Sequence, residues 1–70
     1  MARTRRAPLR TTIPDRPAPS LRCPRCDSLL RYEETIVHPM RSPERYDLFR
    51  CTACQCSYEY RDRTRTLRIT

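Results

Sequence analysis

Two short cysteine pairs constrain this 70-residue chain more than anything else in it: Cys23-Pro24-Arg25-Cys26 and Cys51-Thr52-Ala53-Cys54, with 24 residues between them. A two-residue spacer lets the backbone turn tightly enough for both sulfurs to face one point. Backbone N–H groups in that turn can also hydrogen-bond to the thiolates. Two such knuckles, brought together by a hairpin, supply four sulfurs at the corners of a tetrahedron, and paired C-x-x-C motifs at this separation are a strong metal-site signature. Zinc suits four thiolates because it has no geometric preference of its own. A four-thiolate site is closed, with no position left for water or substrate, so it points to structure rather than catalysis.

The same cysteines would also serve a rubredoxin-like or iron–sulfur site, two disulfides in a secreted protein, or a redox pair at a helix start. Disulfides would leave one cysteine over, and Pro24 and its neighbours show no helical pattern. The expectation is one zinc ion per chain held by Cys23, Cys26, Cys51 and Cys54, with iron as the alternative. Cys56 breaks the symmetry of the two pairs. It is expected to begin a strand rather than to ligate. His38, the only histidine, stands in a proline-containing loop segment and is not expected to be a ligand.

A metal would also answer a shortage of core. Only 37% of the residues are hydrophobic, and a chain this short needs a disulfide, a metal or an oligomer to hold a fold. What apolar sequence exists is strand-like. Leu29 to Val37 places Leu30, Tyr32 and Ile36 on one face and Arg31, Glu33 and Thr35 on the other. His38 to Glu44 reads as a loop. Arg45 to Arg50 alternates Tyr46 and Leu48 against Asp47 and Phe49, and Cys56 to Arg61 alternates Tyr58 and Tyr60 against Ser57, Glu59 and Arg61. Two or three of the four tyrosines are expected in the core. The adjacent Glu33 and Glu34 are expected to pair across strands with Arg45 or Arg50. The fold class is therefore a small, metal-stabilised, all-β zinc ribbon: a three-stranded antiparallel sheet with two cysteine knuckles and basic flanking arms.

The C-x2-C-x24-C-x2-C spacing, the strand Tyr46-Asp47-Leu48-Phe49-Arg50 entering the second pair, and Tyr58 four residues after the last ligand resemble transcription-type zinc ribbons. These include the C-terminal ribbon of transcription elongation factor S and the small ribbon subunits of RNA polymerases. The resemblance covers about residues 21–62 and is more specific for fold than for function. Two departures stand out. Glycine usually follows each knuckle, whereas this chain has Asp27 and Gln55, and Gln accepts a positive φ less readily than Asp. The elongation factor carries an adjacent Asp-Glu pair at its hairpin tip. Here the tip is Arg41-Ser42-Pro43-Glu44, so the resemblance does not imply stimulation of transcript cleavage.

Charge divides the chain into three. Residues 1–22 carry six Arg and one Asp, residues 23–60 five Arg and six acids, and residues 61–70 four Arg and one Asp. A slightly acidic module thus lies between two basic arms. The expected organisation is a basic Arg/Pro-rich arm over 1–20, disordered or ordered on a partner, a ribbon over 21–62, and a basic tail or strand extension over 63–70. Arg3, Arg5, Arg6, Arg10, Arg61, Arg63 and Arg65 are the candidate contacts to phosphate. The expected partner is nucleic acid or a nucleic-acid-containing assembly, RNA polymerase among them. The alternative is a protein-interaction module in a larger assembly.

No apolar run approaches 18 residues, so neither a membrane span nor membrane association is expected. The N-terminus has no apolar signal segment, and its four prolines oppose the amphipathic helix of a transit peptide. The expected location is cytoplasm, nucleoid or nucleus. One histidine, no nucleophile–base pair and no phosphate loop give no catalytic constellation, so neither an enzymatic activity nor a small-molecule substrate is expected.

Overall fold

In the computed structural model, which describes residues 8–39 and 44–70, the chain forms five strands. These are β1 Leu9–Thr11, β2 Arg31–His38, β3 Glu44–Cys51, β4 Cys56–Arg61 and β5 Thr66–Ile69. They make one antiparallel sheet in the order β1-β2-β3-β4-β5, so each strand pairs with its neighbour in sequence. Three of these strands are the expected ones, and the sheet gains one more on each side. Leu9–Thr11, from the segment expected to be an arm, pairs with β2, Leu9 opposite Val37 and Thr11 opposite Thr35. After β4 the chain turns through residues 62–65 and returns as β5 instead of prolonging β4, with Leu67 opposite Tyr60 and Ile69 opposite Tyr58. Both additions cover backbone edges that a three-stranded sheet would leave open.

One irregularity decides which side chains reach the core. The register between β2 and β3 shifts between Tyr32 and Glu34, leaving Glu33 as the extra residue. A bulge of one residue exchanges the two faces of everything beyond it. Tyr32 and Thr35 therefore share a face, and Thr35 is fully buried, where simple alternation would have put it opposite Tyr32. The core-facing row continues across β3 as Asp47, Phe49 and Cys51 and across β4 as Tyr58 and Tyr60. Cys23, Leu30, Phe49, Cys51 and Tyr58 form the buried cluster, with Ala18, Leu21, Tyr32, Tyr60 and Leu67 packed against it. The Tyr32 and Phe49 rings meet edge to face at 5.8 Å. Three tyrosines thus serve the core side and Tyr46 lies on the other face.

Burying Thr35 and Asp47 is costly unless their polar atoms find partners; here Asp47 Oδ1 is satisfied, while Oδ2 is buried with no hydrogen-bond partner among the described residues. The Thr35 hydroxyl donates to Asp47 Oδ1 at 2.6 Å and lies 2.6 Å from the Tyr32 hydroxyl. Arg45 Nε donates to the same Asp47 oxygen at 3.1 Å, and Arg45 also reaches the carbonyl of Arg16 at 2.8 Å. The expected pairing of Glu33 or Glu34 with Arg45 or Arg50 does not form. Arg45 is committed to Asp47, and Glu34 instead accepts from Arg10 of β1 at 2.5 Å. The bulge puts Glu34 on the outer face, which it shares with Arg10, whereas Arg45 lies on the core face with Thr35 and Asp47. His38 ends β2 opposite Glu44 rather than lying in a loop, and its ring packs edge-on against Tyr46 at 5.3 Å. Of the hairpin tip, Arg41, Ser42 and Pro43 lie outside the described residues, as do Arg3, Arg5 and Arg6 of the basic arm.

Candidate metal centre

The two cysteine pairs converge at the end of the sheet where β3 finishes and β4 begins. The Sγ atoms of Cys23, Cys26, Cys51 and Cys54 all lie within 4.8 Å of one another. Cys26 and Cys51 are 3.5 Å apart and Cys23 and Cys54 3.9 Å. Both separations are far beyond a disulfide bond of about 2.05 Å, and all five cysteines are free. They match a different geometry. With metal–sulfur bonds of about 2.3 Å, the edge of a tetrahedral four-thiolate site is about 3.8 Å. The four-cysteine cluster is thus compatible with holding a single metal ion.

The local backbone explains how the sulfurs are aimed. In each knuckle the carbonyl of the first cysteine accepts a hydrogen bond from the residue four positions on: Asp27 N–H to Cys23 at 2.7 Å, Gln55 N–H to Cys51 at 2.9 Å. Those two residues take positive φ, 62° at Asp27 and 60° at Gln55. These are the two positions where glycine was missing from the ribbon pattern. A left-handed conformation costs a non-glycine residue about 1–2 kcal/mol, and both positions are braced. Arg22 donates to the Asp27 carbonyl at 3.0 Å. Gln55 donates through its side chain to the Thr52 carbonyl at 3.0 Å and accepts from Arg50 at 3.2 Å. The turns also place N–H groups on sulfur, Arg25 to Cys23 at 3.4 Å and Cys54 to Cys51 at 3.3 Å.

Side chains complete the electrostatics. The Tyr58 hydroxyl lies 3.3 Å from Cys23 Sγ in the core, and Ser28 Oγ lies 3.3 Å from Cys26 Sγ. Tyr58 is the largest influence lowering the Cys23 thiol to about 6, against the opposing effect of burial. The Cys26 thiol is lowered too, chiefly by Ser28. Cys54 goes the other way, up to about 12, chiefly through its interaction with Cys26 and then through burial. Tyr58 is itself raised, because its proton is engaged by Cys23. Four thiolates at these distances repel one another strongly, and a divalent cation at their centre is the charge that lets all four ionise.

Cys56 stands outside the cluster, as expected. It opens β4 opposite Cys51, with Sγ 3.6 Å from the Cys54 carbonyl and 3.7 Å from a guanidinium nitrogen of Arg25. His38 is at the far end of β2 from the sulfurs.

Three of the candidate phosphate-binding arginines have partners among the described residues. Arg10 is paired with Glu34, Arg61 lies 5.2 Å over the Tyr46 ring, and Arg63 is 3.6 Å from Glu44. Arg63 and Arg65 are exposed in the turn between β4 and β5, with Arg65 at φ 54°. A cleft of about 440 Å³ lies at the end of the sheet away from the cysteines, between the segment around Ile13 to Arg16 and residues such as Val37 and Arg45. Its Arg16, Arg45 and Arg63 are tied to Asp62, Asp47 and Glu44 respectively, so it is close to charge balance.

The sequence reading missed the buried Thr35–Asp47–Arg45 network. Its only sequence signal is an Asp placed on the Phe49 face of β3. Comparison with protein-family models, curated proteins and solved structures gives no significant match to this chain.

Proposed function

We propose that the chain is a non-enzymatic zinc-ribbon module that binds a nucleic acid or a nucleic-acid-containing assembly, such as a transcription complex. The observation that carries this reading is the four-sulfur cluster, built by two knuckles of the same backbone design at one end of an antiparallel sheet. Zinc would be held by Cys23, Cys26, Cys51 and Cys54. When bound, it supplies folding free energy to a chain that, among the described residues, buries an apolar set of five side chains, as in other small metal domains. A filled four-thiolate site has no open coordination position, which supports binding over catalysis.

The nucleic-acid part of the reading rests on charge. The whole chain carries a formal +7, concentrated in the segments before Cys23 and after Tyr60. Arg10 and Arg61 lie in one row across the sheet, Arg10 opposite Ile36, Ile36 opposite Tyr46 and Tyr46 opposite Arg61, and Arg63 and Arg65 extend the basic surface at the turn that follows. A salt titration of binding to labelled single-stranded and duplex oligonucleotides tests it. Affinity should fall steeply with salt, as it does when phosphate contacts release counterions. No binding to DNA or RNA at low salt would sink it.

A second reading is supported by the two sheet edges. Among the described residues β1 and β5 each pair on one side only, and Leu9 and Ile69 on them are 63% and 61% exposed. A protein partner could add a strand there. Partner binding that survives loss of residues 1–8 but not a proline in β5 would favour this reading.

A further inference from the structure

The face of the sheet turned away from the core is ordered in rows. From the end opposite the cysteines these run Ile36–Tyr46–Arg61, then Glu34–Leu48–Glu59–Arg68, then Arg31–Arg50–Ser57. In the second row the one arginine stands directly opposite an acid, Arg68 against Glu59. The row nearest the knuckles breaks the pattern, because Arg31 of β2 and Arg50 of β3 are directly opposite each other and both are exposed. Directly opposed like charges destabilise an antiparallel pair. Among the described residues, no ion pair joins either guanidinium to an acid. The one side-chain partner there is Gln55, whose amide oxygen accepts from Arg50 at 3.2 Å and so fixes that guanidinium beside the second knuckle.

We propose that Arg31 and Arg50 form a clamp for one phosphodiester of a bound nucleic-acid strand. The proposal rests on the nucleic-acid reading above and adds a site to it that lies on the folded sheet and not in the basic segments. Two planar guanidinium forks side by side can hold a phosphate through parallel N–H···O bonds, and the anion removes the repulsion between them. Arg50 needs little further ordering, because Gln55 already orients it. The row also lies on the side of the sheet that the core leaves free, so a strand can reach it without any rearrangement.

The test uses the full metal-loaded chain and a labelled single-stranded oligonucleotide, with Arg31→Gln, Arg50→Gln and, as a charge-matched control, Arg68→Gln. Arg68 stands opposite Glu59 and so already has an acid across the strand. The expected result is that each clamp variant weakens binding about tenfold, the loss of a charge-assisted bond. In the double variant Arg31→Gln with Arg50→Gln, the slope of log affinity against log salt should fall by about 0.7, because the clamp neutralises one phosphate of a single strand. Arg68→Gln should change both much less. Thermal stability should hold or rise in Arg31→Gln and Arg50→Gln, which separates the clamp from a structural role. Binding that is as tight in both clamp variants as in Arg68→Gln would overturn the clamp and leave the nucleic-acid reading intact. Failure of the unaltered chain to bind at low salt would overturn both. Arginine-dependent binding to phosphatidylserine vesicles with none to oligonucleotide would also overturn the proposal, in favour of a lipid surface.

Discussion

Replacing Tyr58 with phenylalanine removes one oxygen from the core and leaves the ring in place. That oxygen lies 3.3 Å from Cys23 Sγ, and Tyr58 and Cys23 are each 2% exposed, so water cannot take its place. A hydrogen bond to a charged acceptor is worth about 1.5–3 kcal/mol. The ring stays packed against Phe49, so no cavity term is added. Cys23 keeps the N–H of Arg25 as a donor at 3.4 Å, which places the loss at the lower end of that range. Converted to affinity, about 1.5–2 kcal/mol is a 10- to 30-fold weaker hold on the metal, within the usual range for removing a hydrogen bond to a metal ligand. Competition for zinc against a chromophoric chelator at neutral pH measures it. Tyr60→Phe is the control, being half-buried on the same face two residues on. A Tyr58→Phe affinity within about twofold of the unaltered chain, or equal to that of Tyr60→Phe, would refute the role given to this hydroxyl.

Three other outcomes follow from the same geometry. Cys56→Ser should leave metal content at one ion per chain and affinity unchanged, since Cys56 lies outside the four-sulfur cluster; elemental analysis of the purified variant checks this. Asp47→Ala should destabilise the fold by about 3 kcal/mol, the lower end for leaving a buried charge without its partner, because the Arg45 side chain is only 12% exposed. Chemical denaturation measures the loss, and metal stoichiometry should not change. Acidification should release the metal. Cys23 is held down from 9.0 to about 6, so its contribution to stability is complete above its ordinary value and is lost as pH falls through about 6. Protons compete with the metal for all four thiolates, so metal retention in a chelator buffer should fall as pH falls, and Tyr58→Phe, which removes the chief influence lowering Cys23, should move that fall to higher pH.

The candidate site was largely legible because C-x-x-C spacing is a local constraint. Two residues between cysteines fix a turn, and the turn fixes where the sulfurs point. Even the departures from the ribbon pattern were readable, as Asp27 and Gln55 do take the left-handed conformation that glycine would otherwise supply. The three central strands were readable from alternation. The bulge at Glu33 was not, because a one-residue register shift leaves no mark on a period-2 pattern until the partner strand is in place, and with it Thr35 and Glu34 changed neighbours. β1 was hidden for a different reason. Leu9-Arg10-Thr11 is three residues long in a stretch dominated by Arg and Pro, and it becomes a strand only because β2 offers an unpaired edge. The turn before β5 was equally silent, since its positive φ falls on Arg65 and no glycine announces it.

Zinc content and fold, read together on the full chain, test the metal-centred reading most directly. Native mass spectrometry of protein purified without chelator should show one zinc ion per chain, and removing that ion should abolish the cooperative thermal transition. A metal-free or disulfide-bonded chain that keeps its transition, or a chain carrying iron in place of zinc, would contradict it.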